Sequence, residues 1–413
     1  MSRIFKSLVP VEEALERFFR YIPSMPAEEV PLEKALGRVL TDDIRSPLDI
    51  PPFHRAAFDG YAVKSKDTFG ASQSNPITLK VIGTLRPGDD ESYTLGEMEA
   101  VEIATGAYLP EGADAVIPLE YSKRMDQFVE IVRQASPGSN VDRKGSDVRA
   151  GDLVLRAGTC IGPFEMLMLS SLNITEVKVA ERPQVSIIST GNELVELGSD
   201  LKGGQIVNSN RYMISSLISE LAEVRYRGIA RDEENRLESL IAEGTKDDII
   251  VTIAGTSVGK RDLVPKVVES MGGKVIVHGL SIMPGKPTLL AVVGDTPLIG
   301  LPGSPVSAAV AGIEILIPTL ARMLGLRGKF VWPKIRARLL KRIPSRPGVR
   351  HYVRVSLSRM GEEIIADPVR VSGSGIISSL TKADGFVVVP EDIEGYEEGQ
   401  VVEVLVYRRW LEL

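Results

Sequence analysis

The stretch DIIVTIAGTSVGKRD at residues 248–262, with GLSIMPGKPTLLAVV at 279–293 and PLIGLPGSPVSAAV at 297–310, decides how this chain folds. Each segment holds a short apolar run next to a turn rich in glycine. Ile249 to Ile253 is nearly continuous in apolar side chains, the pattern of a strand covered on both faces. It stops at Ala254-Gly255-Thr256-Ser257, whose small side chains would let a ligand approach the backbone. Leu298 to Leu301 runs into Pro302-Gly303-Ser304-Pro305, with Ser304 at an N-cap position and Pro305 at the first helical position. Strand ends and helix N-termini gathered on one edge of a parallel sheet make an anion-binding crevice. The expected ligand is a phosphorylated or oxyanionic small molecule.

Outward from this stretch, β and α patterns alternate between Pro183 and about Leu326. Strands are predicted at 185–189, 224–229, 249–253 and 274–278, and helices at 210–222, 262–271 and 305–324, with Asp232 as the N-cap of a further helix. Such alternation predicts a central doubly wound α/β domain over 181–328. Gly255 to Lys260 is not a P-loop, because three residues rather than four separate Gly255 from Gly259-Lys260 and Arg261 follows where Ser or Thr is needed. No G-x-G-x-x-G follows a predicted strand, which excludes a dinucleotide dehydrogenase.

The flanks have other textures. Apolar residues at helical spacing predict helices at 10–20 and 31–40. Short alternating runs between 76 and 133, punctuated by Gly, Pro and Asp, predict a small β domain over 47–142, with Asp59-Gly60 as a tight turn. Because 1–46 has no core of its own and 143–180 carries an isolated helix, the two are expected to form one discontinuous domain interrupted by the β domain. Strand patterns return after Lys329 and predict a C-terminal β barrel over 329–413.

Composition narrows the function. A chain of 413 residues with 43% hydrophobic and 25% charged side chains is long enough for several cores. A net charge of −6 gives no support to nucleic-acid binding. The single cysteine, Cys160, fits a reducing cytoplasm. His54, His278 and His351 have no metal-ligand spacing. The N-terminal helix carries charge through its apolar stretch, unlike a signal peptide, and no membrane span is expected.

Ligands in α/β domains gather at the carboxyl ends of strands, so Glu193, Asp232, Ser257, Asp262, Lys286 and Ser304 are expected to face one crevice. Lys286, held between Pro284-Gly285 and Pro287, suits a fixed positive charge for phosphate or oxyanion. Carboxylates beside an anion site point to Mg²⁺ bridging phosphate oxygens, although helix capping is the plainer role for Asp232 and Asp262. The chemistry supported is charge neutralisation with displacement at phosphorus or at a metal oxyanion.

The blocks PPFHRAAFDGYAV, IATGAYLPEGADAVIP, GSDVRAGD, STGNEL, AGTSVGKRD, IMPGKP and GLPGSPVSA together resemble the MoeA family of molybdopterin molybdenumtransferases, related to the gephyrin E domain. The resemblance spans the whole chain. It implies a MogA-like α/β domain and a homodimer in which the β domain of one subunit lies over the α/β domain of the other. It implies a reaction of adenylylated molybdopterin with molybdate that gives molybdenum cofactor and AMP, aided by Mg²⁺. By the same resemblance Asp59, Thr105, Glu193, Asp232 and Asp262 are catalytic, and Asp59, Asp147, Glu193, Asp232 and Asp262 hold the metal. Gly255, Ser257, Gly259, Lys286, Pro302, Gly303, Ser304 and Pro305 bind the pterin, and the barrel adds an arginine and a serine, Arg350 or Arg354 with Ser378 or Ser379. Transient contact with an adenylyltransferase and with acceptor molybdoenzymes is also implied, without nucleic acid or membrane.

This chain departs from the family pattern at three places. Ala56-Ala57-Phe58 precedes Asp59 where Ser-Ala-Met is frequent, Asn192 stands for a common Asp, and Met283 replaces a frequent Lys. The last makes the expected oxyanion pocket less positive. Tungstate shares the charge of molybdate and nearly its size, so the sequence does not choose between them. The competing readings are a molybdopterin adenylyltransferase and a non-catalytic scaffold.

Overall fold

The computed structural model describes residues 8–231, 233–256, 263–328, 331–370 and 373–408. Its centre is a six-stranded sheet built from β1 (Gln184–Thr190), β2 (Glu223–Ala230), β3 (Ile249–Ile253), β4 (Lys274–His278), β5 (Leu289–Val293) and β6 (Thr296–Leu301). The spatial order is β2-β1-β3-β6-β5-β4, with β2, β1, β3 and β6 parallel and β5 antiparallel to both its neighbours.

Neighbouring residues in the inner strands feed opposite faces, which is why these strands read as continuous apolar runs. Ile187, Val251 and Ile299 join a core with α1 (Val11–Phe19) and a helix α3 (Asn210–Ile218) that follows α2 (Pro163–Ser171) in the chain. Ile188, Ile250 and Leu298 join the other, under α4 (Glu234–Gly244) and α5 (Leu263–Ser270).

The predicted helix at 305–324 forms as α6 (Pro305–Ala311), a π segment at Gly312–Leu316, and α7 (Ile317–Met323). Pro318 accounts for the interruption, since proline has no N–H to return to the preceding turn. Contrary to the sequence expectation, Pro305–Met323 is long and apolar enough to cross a membrane by composition. Its most apolar window is 83% buried inside the protein, as a core helix is.

The expected helix at 31–40 does not form. Ala27–Pro31 is a strand, Leu32–Lys34 is one 3₁₀ turn, and Gly37 takes φ +75°, which ends any helix there. The apolar spacing serves instead to bury Ala35 and Val39 while Leu36 stays 57% exposed. Ala27–Pro31 pairs antiparallel with Glu176–Ala180, and Ile44–Arg45 pairs with Leu153–Leu155. Val30, Leu40, Ile161, Leu169 and Val179 share one core, so segments on either side of the β domain fold together. Helix α1 is the exception: Val11, Ala14 and Phe18 bury against the α/β domain.

The inserted β domain is a six-stranded sheet in the order Ala115–Pro118, Gly60–Val63, Glu99–Ile103, Ile77–Leu85, Phe128–Ile131, Ser122–Met125. Here too a sequence expectation fails. Gly60 is not the tip of a tight turn but a strand residue paired to Ile103 and Pro118. A Cβ on it would lie 1.9 Å from the Ile117 carbonyl oxygen, so the ladder itself demands glycine.

At the C-terminus, Arg350–Met360, Glu363–Arg370, Lys334–Leu339, Val401–Val406 and Gly385–Val389 close into a five-stranded barrel. The barrel is stitched to the α/β domain by a short parallel ladder, Ile282–Met283 on Arg350–His351, and by Tyr352 and Phe386 entering the α/β core.

Candidate functional site

The carboxyl ends of β1, β3, β4 and β6 lie along one edge of the sheet, and their turns are packed tightly against one another. Ala254 and Gly255 both have positive φ, at 73° and 71°. A Cβ on Gly255 would sit 2.8 Å from Thr190 Oγ1, one on Gly303 2.8 Å from Ala254 Cβ, and one on Gly300 2.6 Å from Thr256 Cγ2. Small residues at these positions are thus required by turn-to-turn contact, a use the sequence expectation of ligand access did not include.

Beside these turns, the loop between β4 and β5 is heavily tied down. Gly279 N–H donates to Thr288 O at 2.9 Å, Leu280 N–H to Lys286 O at 2.9 Å, and Thr288 Oγ1 to Gly285 O at 2.7 Å. Arg350 N–H reaches across from the barrel to Ser281 O at 2.8 Å. This fixes Lys286 against the barrel strand that carries His351 and Arg354. The result is a cleft of about 640 Å³ between the two domains. Its walls are Met283–Pro287, Ser304 and Ser307 on the α/β side, and Pro344–Arg346, His351, Arg354, Gly373 and Ser374 on the barrel side.

The cleft's positive character comes from side chains more than from a helix terminus. Pro305 has no N–H, and the Val306 N–H donates to the Ser374 carbonyl at 3.1 Å. Ser304 occupies the N-cap position but makes no capping bond, its hydroxyl donating instead to Ser307 Oγ at 2.7 Å. Lys286 is exposed to the cleft, and Arg354, only 2% exposed, reaches Gly373 O at 3.5 Å.

Of the two barrel arginines left open by the sequence, Arg354 therefore lines the cleft. Arg350 is committed elsewhere, to Glu12 at 2.8 Å and Glu391 at 3.0 Å. Of the serines, neither Ser378 nor Ser379 lines it. Ser379 is buried with its hydroxyl on Ile376 O, Ser378 is exposed at the start of α8 (Ser378–Lys382), and Ser374 is the serine in the wall.

Asp59 and Thr105 meet in the β domain. Asp59 Oδ1 accepts from the Thr105 N–H at 2.7 Å and from the Thr105 hydroxyl at 2.8 Å. These two donors, the backbone N–H first, hold the Asp59 carboxyl below its ordinary value. Among the described residues no hydrogen bond or ion pair joins this pair to the cleft. Glu193 is exposed on the loop after β1, tied by Ile206 N–H to its carbonyl at 2.8 Å, and Asp147 is exposed on the loop after the β domain. Asp232, Ser257, Gly259 and Asp262 lie outside the described residues. Among the described ones no three His, Cys, Asp or Glu side chains come together to hold a metal.

The order of these parts along the chain matches one family throughout. Residues 9–173 match the MoeA N-terminal region (domain I and II), 186–322 the family described as "Probable molybdopterin binding domain", and 336–407 the MoeA C-terminal region (domain IV). A molybdopterin biosynthesis protein of Methanocaldococcus jannaschii is 38% identical over 97% of this chain and 99% of its own length. The chain belongs to the MoeA family.

The molybdopterin molybdenumtransferase of Bacillus subtilis is 32% identical over 97% of the chain and 94% of its own length. Two crystal structures of MoeA from Pyrococcus horikoshii superpose with TM-scores of 0.82 and 0.85, at 41% and 34% identity, over 98% and 97% of this chain and all of theirs.

Within this MoeA chain, sequence reasoning missed Ser345, Arg346, His351, Gly373 and Ser374 in the cleft, and Asn210, whose amide donates to Gly303 O at 2.7 Å. The local signals were present, since PSRPG at 344–348 and GSG at 373–375 are turns after strands. Nothing local says which cleft they face.

Proposed function

We propose that this chain inserts molybdate into adenylylated molybdopterin and releases AMP, completing the molybdenum cofactor. It is an enzyme of molybdenum cofactor biosynthesis, a molybdopterin molybdenumtransferase by family. The observation that carries the assignment of the cleft is that Lys286 and Arg354, from two domains, line one cavity held rigid by the Ile282–Met283 ladder. Fixed cations in a partly enclosed space neutralise an oxyanion without reorganising during reaction. Lys286 and Arg354 would hold the oxyanion, and Ser304, Ser307 and Pro305 would shape the wall that receives the pterin phosphate.

A homodimer is part of this reading. Asp59 and Thr105 belong to the β domain and are joined to the cleft by no bond among the described residues, so a second subunit is the means of bringing them to it. Mg²⁺ is proposed as the assisting cation. The described carboxylates do not by themselves make a divalent site, so no step is assigned to the ion. A cytoplasmic setting fits the single cysteine, and tungstate remains an alternative oxyanion to molybdate on charge and size.

The test is AMP release by purified protein given adenylylated molybdopterin and Mg²⁺, with molybdate and tungstate titrated separately. Turnover with either oxyanion supports the assignment. Pterin binding without AMP release under all conditions would move the scaffold reading ahead.

A further inference from the structure

Outside the cleft walls, one guanidinium ties together α1, the loop between β4 and β5, and the barrel. Arg350 opens the barrel strand Arg350–Met360 and pairs with Ile282 in the ladder between the domains. Its Nη1 donates to Glu12 Oε1 on α1 at 2.8 Å, and its Nε donates to Glu391 Oε1, in the turn after Gly385–Val389, at 3.0 Å. The segment leading into α1 is bonded to the same loop, because Ser281 N–H donates to Val9 O at 2.9 Å while Ser281 O accepts the Arg350 N–H at 2.8 Å. On the same side of the strand as Arg350, Tyr352 is buried in the α/β core, edge-on to Phe386 with ring centres 6.1 Å apart, and its hydroxyl meets Glu314 in the π segment. Burial pushes the Glu314 carboxyl up, against the pull of Tyr352 and Arg350, which leaves the guanidinium to Glu12 and Glu391. Partly buried ion pairs add little net stability over apolar packing, but carboxylates from separate elements fix both the place and the direction of a planar guanidinium. Arg354 follows on the same side of the same strand, in the cleft wall.

We propose that Arg350 is a positioning residue for the reaction: by clasping Glu12 and Glu391 across the ladder, it sets how the barrel strand docks on the α/β domain and so where Arg354 stands relative to Lys286. Arg350 itself touches no ligand. The proposal rests on the functional reading above, and it deepens that reading by naming a group outside the cleft that governs its geometry. An oxyanion gripped from two walls is held well only when the walls stand at one separation, and a displacement of about 1 Å by a distant change costs up to about 100-fold in rate. The turn at 302–305 that would receive the pterin phosphate belongs to the α/β domain alone, so a shifted barrel disturbs the oxyanion more than the pterin.

The test measures AMP release by the full-length protein and four variants, with molybdate titrated at saturating adenylylated molybdopterin and the pterin titrated at saturating molybdate. Arg350→Met removes the clasp, Arg350→Lys keeps its charge, and Glu12→Ala opens its α1 side without burying a lone charge, since the Glu12 side chain is 62% exposed. Arg342→Ala is the control, its exposed pair with Glu397 lying outside the cleft. Arg350→Met is expected to raise the KM for molybdate about tenfold while the KM for the pterin stays within about twofold, the loss of a misplaced contact. Arg350→Lys should recover part of that loss, Glu12→Ala should show a smaller rise in the same KM, and Arg342→Ala should match the unmodified protein. A clasp that only stabilises the fold would lower the melting temperature and kcat through the folded fraction and leave both KM values alone, and that result overturns the proposal. So does an equal rise in both KM values. If Arg350→Met does not fold by circular dichroism, Glu12→Ala decides, and an unchanged molybdate KM there overturns the proposal and leaves the functional reading standing. Absence of turnover by the unmodified protein overturns the functional reading, and this proposal with it.

Discussion

One hydroxyl, one carboxylate, one ammonium and one added methyl group each define a test at the scale of a single residue. Asp59 is held below the ordinary carboxylate range by the Thr105 N–H and hydroxyl, so it stays charged to lower pH than a free side chain. If turnover needs that charge, activity falls only as pH drops through this lowered value. Thr105→Val removes one donor at nearly constant volume and should move the acid limb of the rate profile to higher pH, whereas an unmoved limb would separate Asp59 from the rate. Asp59→Ala should abolish turnover with the fold unchanged by circular dichroism. Lys286→Ala should weaken oxyanion binding far more than it lowers the melting temperature, because the exposed ammonium supports no core. Gly300→Ala tests packing instead. Its new methyl would meet Thr256 Cγ2 at 2.6 Å and Leu289 Cβ at 3.0 Å, and an overpacked site of this kind costs about 1–3 kcal/mol, readable as a lower urea midpoint.

At the scale of elements, the end of the sheet opposite the cleft is held by charge. Asp247, fully buried, accepts from Arg225 at 2.9 Å and also bonds Arg227 and Ser186, tying β1 and β2 to the turn before β3. Burial works against the Asp247 charge, but Ser186 and the two arginines overcome it and leave the carboxyl below its ordinary value. Because the folded value is the depressed one, the stabilisation is present above the ordinary carboxylate range and is lost as pH falls through the folded value. Asp247→Asn leaves Arg225 and Arg227 without their counter-charge and should cost roughly 3 kcal/mol, the low end for a broken buried pair because only the carboxylate is fully buried and Arg225 is half exposed. An unfolding midpoint within error of the unmodified protein would show that water replaces the pair at no cost.

The whole molecule brings together what the chain keeps apart. Glu12 on α1 and Glu391 in the barrel converge on Arg350, beside the ladder that fixes Lys286 to the barrel wall. If the active site also spans two subunits, the protein sediments as a dimer. Mixing Asp59→Ala with Lys286→Ala subunits after unfolding and refolding should then restore turnover that neither variant shows alone, since one of the two sites in a mixed dimer carries both intact residues. No recovery in a mixture that forms mixed dimers would place Asp59 and Lys286 in the same subunit's site or in separate steps.

Local pattern in the sequence determined the parts: apolar runs at Ile249–Ile253, alternation in the barrel strands and helical stripes in α3 and α4 each report on neighbours a few residues away. Where a local pattern suited two outcomes, as at 31–40, Gly37 and a partner strand about 150 residues away chose between them. The motifs around Lys286 and Ser304 were legible because strand ends in a parallel sheet share an edge by topology. The far wall of the cleft was not. Arg350 and Arg354 lie on the same side of one strand, so alternation alone cannot rank them, and only the carboxylates of Glu12 and Glu391 draw Arg350 away. Ser345, Arg346 and Ser374 join the cleft because the barrel docks there. That docking is set by long-range contacts between domains, and periodicity within either domain carries no information about them.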